Sequence, residues 1–306
     1  MKYEFAGRFK LSVHSVDSDG NPVPGSHRET GWFNNLITNG GLDLLGTGGF
    51  LNNCYIGTNN TAPSFTDTSL LSQSASASRQ GSPTNTTDST SWVGTVSTYI
   101  FAQGAAVGNM QEIGIGPSGT NLFSRALIVD GNGDPTVLVL TAVDILTVTY
   151  ELRKYASQDD DTDTVTGGTA SYTVVTRTSR GLQTGAVESW NAGGPFTTNG
   201  SPGVRVTAGA LGSWMSQPTN GAGSSVGGTR TQAVYTPGNH YRDMTTLLTS
   251  TQGNVSGGLI TAASIIESGS TACACALQAS FSPGIPKDNT RSLSLTWRVS
   301  WGRHTP

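Results

Sequence analysis

Residues 144–154 read DILTVTYELRK, and residues 291–302 read RSLSLTWRVSWG. Apolar and polar side chains alternate in both stretches, and this period of two is typical of a strand that buries one face. The same alternation, or a high density of β-branched and aromatic residues, recurs along the chain and predicts strands. The predicted strands are 3–16, 91–102, 110–116, 121–129, 135–141, 144–154, 170–178, 203–208, 230–236, 258–266, 272–281 and 291–302.

The composition of the 306-residue chain points to the same fold class. Glu, Lys, Ala and Leu are too scarce for long helical bundles, and the 40 glycines follow no period of three, which excludes a collagen helix. A net charge of -3, with 6 Trp, 8 Tyr and 9 Phe to seed a core, argues against full disorder. We therefore predict an all-β protein with two β-sandwich-like domains of mainly antiparallel strands and a few short helices.

Short helices are predicted near residues 34–45 and 240–249. In the second, Tyr241, Met244 and Leu248 fall on one helical face. Two stretches rich in Asp, Asn and Gly, at 17–22 and 130–135, contain residues that tolerate positive φ and therefore predict hairpin reversals.

Polar segments divide the chain. Residues 1–156 are predicted to form an N-terminal β domain and residues 169–306 a C-terminal one. Residues 157–168 are predicted to be an acidic linker, because four aspartates fall within five positions and like charges extend a chain. Residues 72–90 contain no large apolar side chain and are predicted to be a mobile loop, or a loop that lies against a partner.

The two halves end in similar strands. Residues 146–153 and 293–300 share Leu, Thr and aromatic positions. The C-terminal domain is therefore either a diverged repeat of the first or a case of convergence on a generic amphipathic strand, and the sequence leaves both open.

Several classes of function are disfavoured by the sequence. The 17 Lys and Arg residues are spread thinly, which argues against a nucleic-acid partner. No apolar run is long enough to insert into a membrane, and the first residues carry no hydrophobic signal core. The stretches beginning at Asp17 and Asp130 start like EF-hand loops but lack the required Gly and Glu. No histidine spacing, nucleophile motif or carboxylate pair indicates catalysis, so we predict no enzyme activity, no metal and no cofactor, although scattered carboxylates can still meet in space.

Cysteine and tryptophan give the remaining candidates. Cys54, Cys273 and Cys275 are predicted to be buried free thiols, with a bridge from Cys54 to one of the others as the alternative. Three tryptophans fall within predicted strands and are assigned to the core: Trp92, Trp297 and Trp301. Trp190 and Trp214 lie in Gly- and Ser-rich stretches, where we predict a contact with a carbohydrate or a protein partner.

Four stretches of the first half resemble a family of tailed-bacteriophage virion proteins of the tail fibre and tail tip (baseplate) type. They are GWFNNLITNGGLDLL (31–45), CYIGTNNTAPSFTDTSL (54–70), YIFAQGAAVGNMQEIG (99–114), and LFSRAL (122–127) running on to TVTYELR (147–153). Their order and spacing match the family over about residues 30–155.

This resemblance implies a structural virion protein without catalysis, commonly oligomeric. We expect a homotrimer that contacts other tail proteins, assembles in the host cytoplasm and takes part in host attachment, with a host surface glycan as a further partner. The alternatives are a capsid decoration, a tail-tube-associated protein, or a module that binds or cleaves a carbohydrate receptor.

Overall fold

The computed structural model describes residues 2–87, 91–157, 159–178, 203–213, 228–266 and 275–305. The chain divides into two compact units. The N-terminal unit comprises Phe5–Thr86, Gly94–Arg153 and Arg303–Pro306, and the C-terminal unit comprises Met1–Glu4, Thr87–Val93 and Lys154–Gly302. The described residues form twenty strands and one helix, and the strand pairs of defined register are antiparallel. The predicted all-β class is therefore confirmed, and each of the twelve predicted strands overlaps an observed one.

The first half of the chain supplies twelve strands and the helix. Their bounds are β1 Lys2–Ser15, β2 Arg28–Glu29, β3 Phe33–Asn34, β4 Leu36–Ile37, α1 Asn39–Thr47, β5 Asn53–Gly57, β6 Gln73–Thr87, β7 Trp92–Phe101, β8 Gly108–Met110, β9 Glu112–Gly116, β10 Ser124–Leu127, β11 Leu138–Leu140 and β12 Asp144–Ala156. In the N-terminal unit the strand order is β1, β12, β7, β6, β5, β9, β10, β4. β2 and β3 pair with β1, while β8 and β11 form a separate ribbon of two strands.

The core of the N-terminal unit follows the alternation seen in the sequence. Buried and half-buried residues alternate along most of β1. The buried ring of Phe9 lies 4.8 Å from the ring of Tyr150 in β12 and 5.8 Å from that of Phe33 in β3. Aromatic pairs at such distances contribute about 0.5–1.5 kcal/mol each beyond the burial of their surface. The period-two pattern of β1 and β12 therefore places these rings in one core.

Strand β6 corrects one prediction. Residues Gln73–Thr87, inside the segment predicted to be a loop at 72–90, form a strand that pairs with β5. The register places Ala75 opposite Ile56 and Ala77 opposite Cys54. Small Ala side chains alternate with exposed Ser side chains here, so the strand buries little apolar surface. Backbone hydrogen bonds to its neighbours supply the order, and composition does not reveal them.

Helix α1 confirms the first helix prediction with a shift. Leu36 and Ile37 form strand β4, and the helix begins after Thr38, whose hydroxyl accepts the backbone N–H of Gly41 at 2.8 Å. Thr38 therefore acts as an N-cap, which fixes the start of the helix.

The two predicted hairpin reversals are confirmed and share one bonding pattern. Asp17 Oδ1 accepts the backbone N–H groups of Asp19 and Asn21 at 2.9 and 2.8 Å. Asp130 Oδ1 accepts the corresponding two N–H groups of the second turn at 2.8 and 3.1 Å. Gly20 has a φ of 82° and its counterpart in the second turn a φ of 90°, values that favour glycine. These two carboxylates therefore stabilise the turns themselves.

The C-terminal unit contains a five-stranded sheet in the order β13, β14, β19, β18, β15, and a second group in which β16, β17 and β20 are neighbours. The bounds are β13 Asp161–Gly167, β14 Ala170–Thr178, β15 Gly203–Thr207, β16 Thr229–Gln232, β17 Tyr241–Leu248, β18 Leu259–Ile266, β19 Cys275–Pro286 and β20 Leu293–Arg303.

Strand β13 lies within the predicted acidic linker. Residues 161–167 of the segment 157–168 pair along their whole length with β14, and the two strands form a hairpin. Repulsion between the aspartates by itself favours an extended segment, whereas pairing with β14 orders residues 161–167 as a strand. Asp160 accepts two hydrogen bonds from the guanidinium of Arg177, at 2.7 and 2.6 Å, which offsets part of that repulsion.

The prediction of a helix at 240–249 is wrong, because residues 241–248 form strand β17 between β16 and β20. Tyr241, Met244 and Leu248 fit a helical spacing, but Met244, Thr246 and Leu248 also fit a period of two, and these last three are buried. Pairing on both edges decides between the two patterns, and the sequence does not show it.

Candidate functional site

Two of the sequence-predicted site residues, Trp190 and Trp214, lie outside the described residues, so their role stays a prediction. The tryptophans assigned to the core are in fact buried: Trp92, Trp297 and Trp301. Trp32 instead lies on the surface, where the guanidinium carbon of Arg8 is 4.3 Å from the centre of its ring. Arg8 also pairs with the buried carboxylate of Glu151, which accepts a second bond from Arg153 at 2.9 Å.

Residues from three stretches that are distant in sequence, 54–70, 99–114 and 122–127, meet at the side chain of Arg125. Arg125 lies in β10, opposite Gly114 of β9. Glu112, two residues before that glycine, is its diagonal neighbour on the same face. Asp67 comes from the 58–72 loop, which joins β5 to β6. A Cβ on Gly114 would lie 2.9 Å from the Ser124 carbonyl oxygen and 3.2 Å from the side chains of Leu122 and Leu70, so these neighbours pack directly against the glycine.

Arg125 uses its fork of donors on several partners at once. Nη1 donates to Asp67 Oδ2 at 2.7 Å, and Nε and Nη2 donate to Glu112 Oε2 at 3.0 and 2.8 Å. Nη2 also donates to the backbone carbonyl of Thr61 at 2.9 Å. Both Arg125 and Glu112 are 0 % exposed. Fork-shaped, charge-assisted bonds of this kind are among the strongest in proteins, and here they bind the loop to the sheet.

Glu112 also binds the C-terminal end of the 58–72 loop through two backbone hydrogen bonds. Its Oε1 accepts the backbone N–H of Ser72 at 2.7 Å, and its Oε2 accepts that of Leu71 at 3.1 Å. Gly57 lies so close to Ser72 and Glu112 that a side chain does not fit there. A Cβ on Gly57 would lie 2.4 Å from the Ser72 carbonyl oxygen and 2.6 Å from Glu112 Oε1. Chemically, this cluster (Arg125, Glu112 and Asp67, named here the Arg125 centre) anchors the loop, because each carboxylate is held by donors of the chain itself.

The Arg125 centre is not among the sites predicted from the sequence. The available signal was a lone arginine in the apolar run LFSRALIV and a lone glutamate just before IGIG. A charged side chain within a predicted buried strand indicates a buried partner.

The outer side of the 58–72 loop presents an aromatic ring to solvent. Phe65 is 50 % exposed, and the guanidinium carbon of Arg303 lies 4.2 Å from the centre of its ring. Arg303 also donates to the carbonyl of Ile37 at 2.6 Å and to Asn39 Oδ1 at 2.7 Å. The loop surface is therefore fixed from inside by Arg125 and from outside by Arg303.

A second exposed apolar surface lies on the β8–β11 ribbon. Val139 is opposite Asn109, and the period of two places Val107 and Val137 on the same side. These three valines are 52, 45 and 55 % exposed in chain order, whereas Met110 and Leu140 on the opposite side are buried. We name Val107, Val137 and Val139 the valine face. Exposed apolar sheet faces mark protein contacts more often than chance surface does.

Asp144, at the start of β12, is a buried carboxylate in a dense set of donors. Its oxygens accept bonds from the Ser15 hydroxyl at 2.7 Å, from the Thr141 N–H and hydroxyl at 2.8 and 3.0 Å, and from Arg28 at 3.2 Å. Burial raises the pKa of this carboxyl, but the hydrogen bonds together outweigh burial and lower the pKa to about 2. Asp144 therefore stays ionised near neutral pH and serves the structure.

The C-terminal unit contains a groove of about 1010 Å³. Its floor is one face of the five-stranded sheet, where Val165 is opposite Tyr172 and Val174 is opposite Phe281. Residues 291–296 form a wall that carries one guanidinium, that of Arg291, and several hydroxyl groups. Two aromatic rings, aliphatic side chains and a few polar groups are the usual lining of a binding groove.

The thiol of Cys54 is buried and free, as predicted, and burial raises its pKa. Cys275 belongs to strand β19, and Cys273 lies outside the described residues.

Within the ranges that the structure describes, no three His, Cys, Asp or Glu side chains are grouped as metal ligands. No helix in those ranges has the length and hydropathy that crossing a bilayer requires. Comparison of the chain with protein-family models, with curated proteins and with solved structures gave no significant match.

Proposed function

We propose that the chain is a structural component of a bacteriophage tail, in the fibre or baseplate-tip region. In this proposal it assembles in the host cytoplasm as a homotrimer, contacts other tail proteins and takes part in host attachment. The supporting observation is the Arg125 centre, where stretches that resemble virion proteins but lie far apart in sequence form one connected set of contacts.

The proposed mechanism relies on a stiff surface. The Arg125 centre fixes the 58–72 loop at both ends, so Phe65 and Leu71 are presented in fixed positions, each about half exposed. The valine face adds further apolar surface in the same unit. Contacts made by a few exposed apolar side chains are individually weak. Repeating them around a trimer raises the effective concentration of the second and third contacts once the first has formed, which gives avidity.

Two other virion positions, a capsid decoration and a tail-tube-associated protein, fit a stiff contact surface equally well. Labelling with an antibody raised against the full chain separates them by electron microscopy of purified particles. We expect label at the distal tail. Label on the capsid shell or along the tube selects the respective alternative, and particles without label contradict a virion role.

A receptor module that binds or cleaves a host surface glycan is a second candidate, and the groove favours it. Tyr172 and Phe281 supply faces on which sugar rings stack, and the wall supplies hydroxyl groups. A glycan array with the full chain tests this function. Signals lost in Trp190→Ala or Trp214→Ala but kept in Trp32→Ala support a glycan contact at the predicted residues, and an empty array removes this candidate.

A further inference from the structure

Strand β13 forms an unpaired edge of the five-stranded sheet. It is the terminal strand in the sheet order, and all seven of its residues, from Asp161 to Gly167, are exposed. Among the residues that the structure describes, no strand pairs with its outer side. Open edges of this kind are templates for pairing with another chain unless they are short, covered, interrupted or charged, and charges on an edge restrict which chains pair with it.

The hairpin register identifies which backbone groups face outward. Gly167 pairs with Ala170 across a two-residue turn, so the odd-numbered residues of β13 exchange hydrogen bonds with β14. The N–H and C=O groups of Thr162, Thr164 and Thr166 then point away from the sheet. The Thr164 N–H donates to Asp163 Oδ1 at 2.7 Å. A carboxylate of the chain therefore occupies the position that the carbonyl of an added strand would take.

Side chains on one face of β13 set the chemistry of an added strand. Asp161, Asp163 and Val165 share that face, and Val165 lines the groove beside Tyr172. A strand added along this edge would therefore lie beside the carboxylates of Asp161 and Asp163, at alternate positions, and then beside the apolar groove at Val165. Opposite charges and apolar pairs directly across two strands stabilise pairing.

We propose that the outer edge of β13 accepts an extended, basic segment of a partner protein as a sixth strand of the sheet. Two basic side chains at alternate positions lie beside Asp161 and Asp163, and an apolar side chain two positions further enters the groove at Val165. Backbone hydrogen bonds supply the affinity and these side chains the specificity. Antiparallel self-pairing of β13 about Thr164 sets Asp163 opposite Val165 and Asp161 opposite Gly167, so neither carboxylate gains the opposite charge that a basic segment supplies. This inference does not depend on whether the partner is a virion protein.

The probe is the fluorescent peptide Thr-Leu-Thr-Lys-Thr-Lys-Thr, which matches the edge in the antiparallel direction, and its Glu-for-Lys version is the control. Binding to the full chain is measured by fluorescence polarisation at low and high salt. We expect the Lys peptide to bind, the Glu peptide not to bind, and the amide protons of Thr162, Thr164 and Thr166 to gain protection from hydrogen exchange.

Two variants separate charge from backbone pairing. Asp161→Asn with Asp163→Asn is expected to weaken binding about tenfold at low salt and to flatten its salt dependence. Thr164→Pro removes an outward N–H that the β13–β14 ladder does not use, and should abolish binding. The control pair Asp19→Asn with Asp134→Asn removes the same net charge from two exposed turns and should leave binding unchanged.

The proposal is overturned if the Lys peptide does not bind the unmodified chain, or if it binds the double Asn variant and the control pair equally. It is also overturned if binding occurs without added protection at the three threonine amides. Should the chain bind a saccharide that Tyr172→Ala abolishes, while the peptide does not bind, the groove is a glycan site and strand addition is wrong.

Discussion

Replacing Arg125 with Met is the sharpest test of how the N-terminal unit is held together. Met keeps a flexible apolar side chain but removes the guanidinium and its hydrogen bonds to Asp67, Glu112 and the Thr61 carbonyl. Glu112 is then left as a fully buried carboxylate held by two backbone N–H groups. Removing one partner of a buried ion pair costs about 3–5 kcal/mol. We expect the free energy of unfolding of this unit to fall by that amount.

Urea unfolding of the purified chain measures the loss, and limited proteolysis reports cleavage within the 58–72 loop. The control is Lys10→Met, which removes an exposed ion pair with Glu29 at 3.0 Å and should cost about 0–1 kcal/mol. Adding Glu112→Gln to the Arg125 variant should restore part of the stability, because it removes the buried carboxylate charge that has lost its guanidinium partner. If Arg125→Met costs no more than Lys10→Met, and the loop resists protease as before, the Arg125 centre does not anchor the loop.

Three further variants test other parts of the fold. The depressed pKa of Asp144, about 2 against an ordinary value of 3.8, contributes about 2 kcal/mol that is present above about pH 5 and lost as the pH falls towards 2. In thermal melts from pH 7 to pH 2, Asp144→Asn should therefore reduce the loss of melting temperature at acid pH. An unchanged loss would contradict the depressed pKa of Asp144. Gly57→Ala places a Cβ 2.4 Å from the Ser72 carbonyl oxygen and should destabilise by about 1–3 kcal/mol in urea unfolding, whereas wild-type stability would mean that the loop yields. Trp297→Ala should destabilise the C-terminal unit by about 3–5 kcal/mol, and an unchanged melting temperature would show that this tryptophan is not a core residue.

Strands with one buried face were predictable because burial imposes a period of two on the sequence. β1, β12 and β20 are strands of this kind. The burial of the tryptophans at 92, 297 and 301 was predictable for the same reason, because each lies in such a strand pattern. The two turns at 17–22 and 130–135 were predictable for a local reason, because Asp and Gly satisfy the geometry within the turn itself.

Strands stabilised by pairing, with little burial of their own, were not predictable. β6 and β13 are rich in polar residues and are ordered by pairing with other strands. β6 pairs with β5, which precedes it by a long loop, and β13 pairs with β14 in a hairpin. β17 carries a pattern that fits both a helix and a strand, and pairing on two edges decides between them. The Arg125 centre was missed for the same reason, since its members are joined by the sheet register and by a loop closure that no local pattern encodes.

We propose for this chain the role of a structural part of a phage tail. A cryo-EM map of the infectious particle, at a resolution that allows the two units to be fitted, tests it most directly. If the chain is a tail protein, we expect density for copies of it related by threefold symmetry in the fibre or at the tail tip. A particle whose tail is fully assigned to other chains would contradict it.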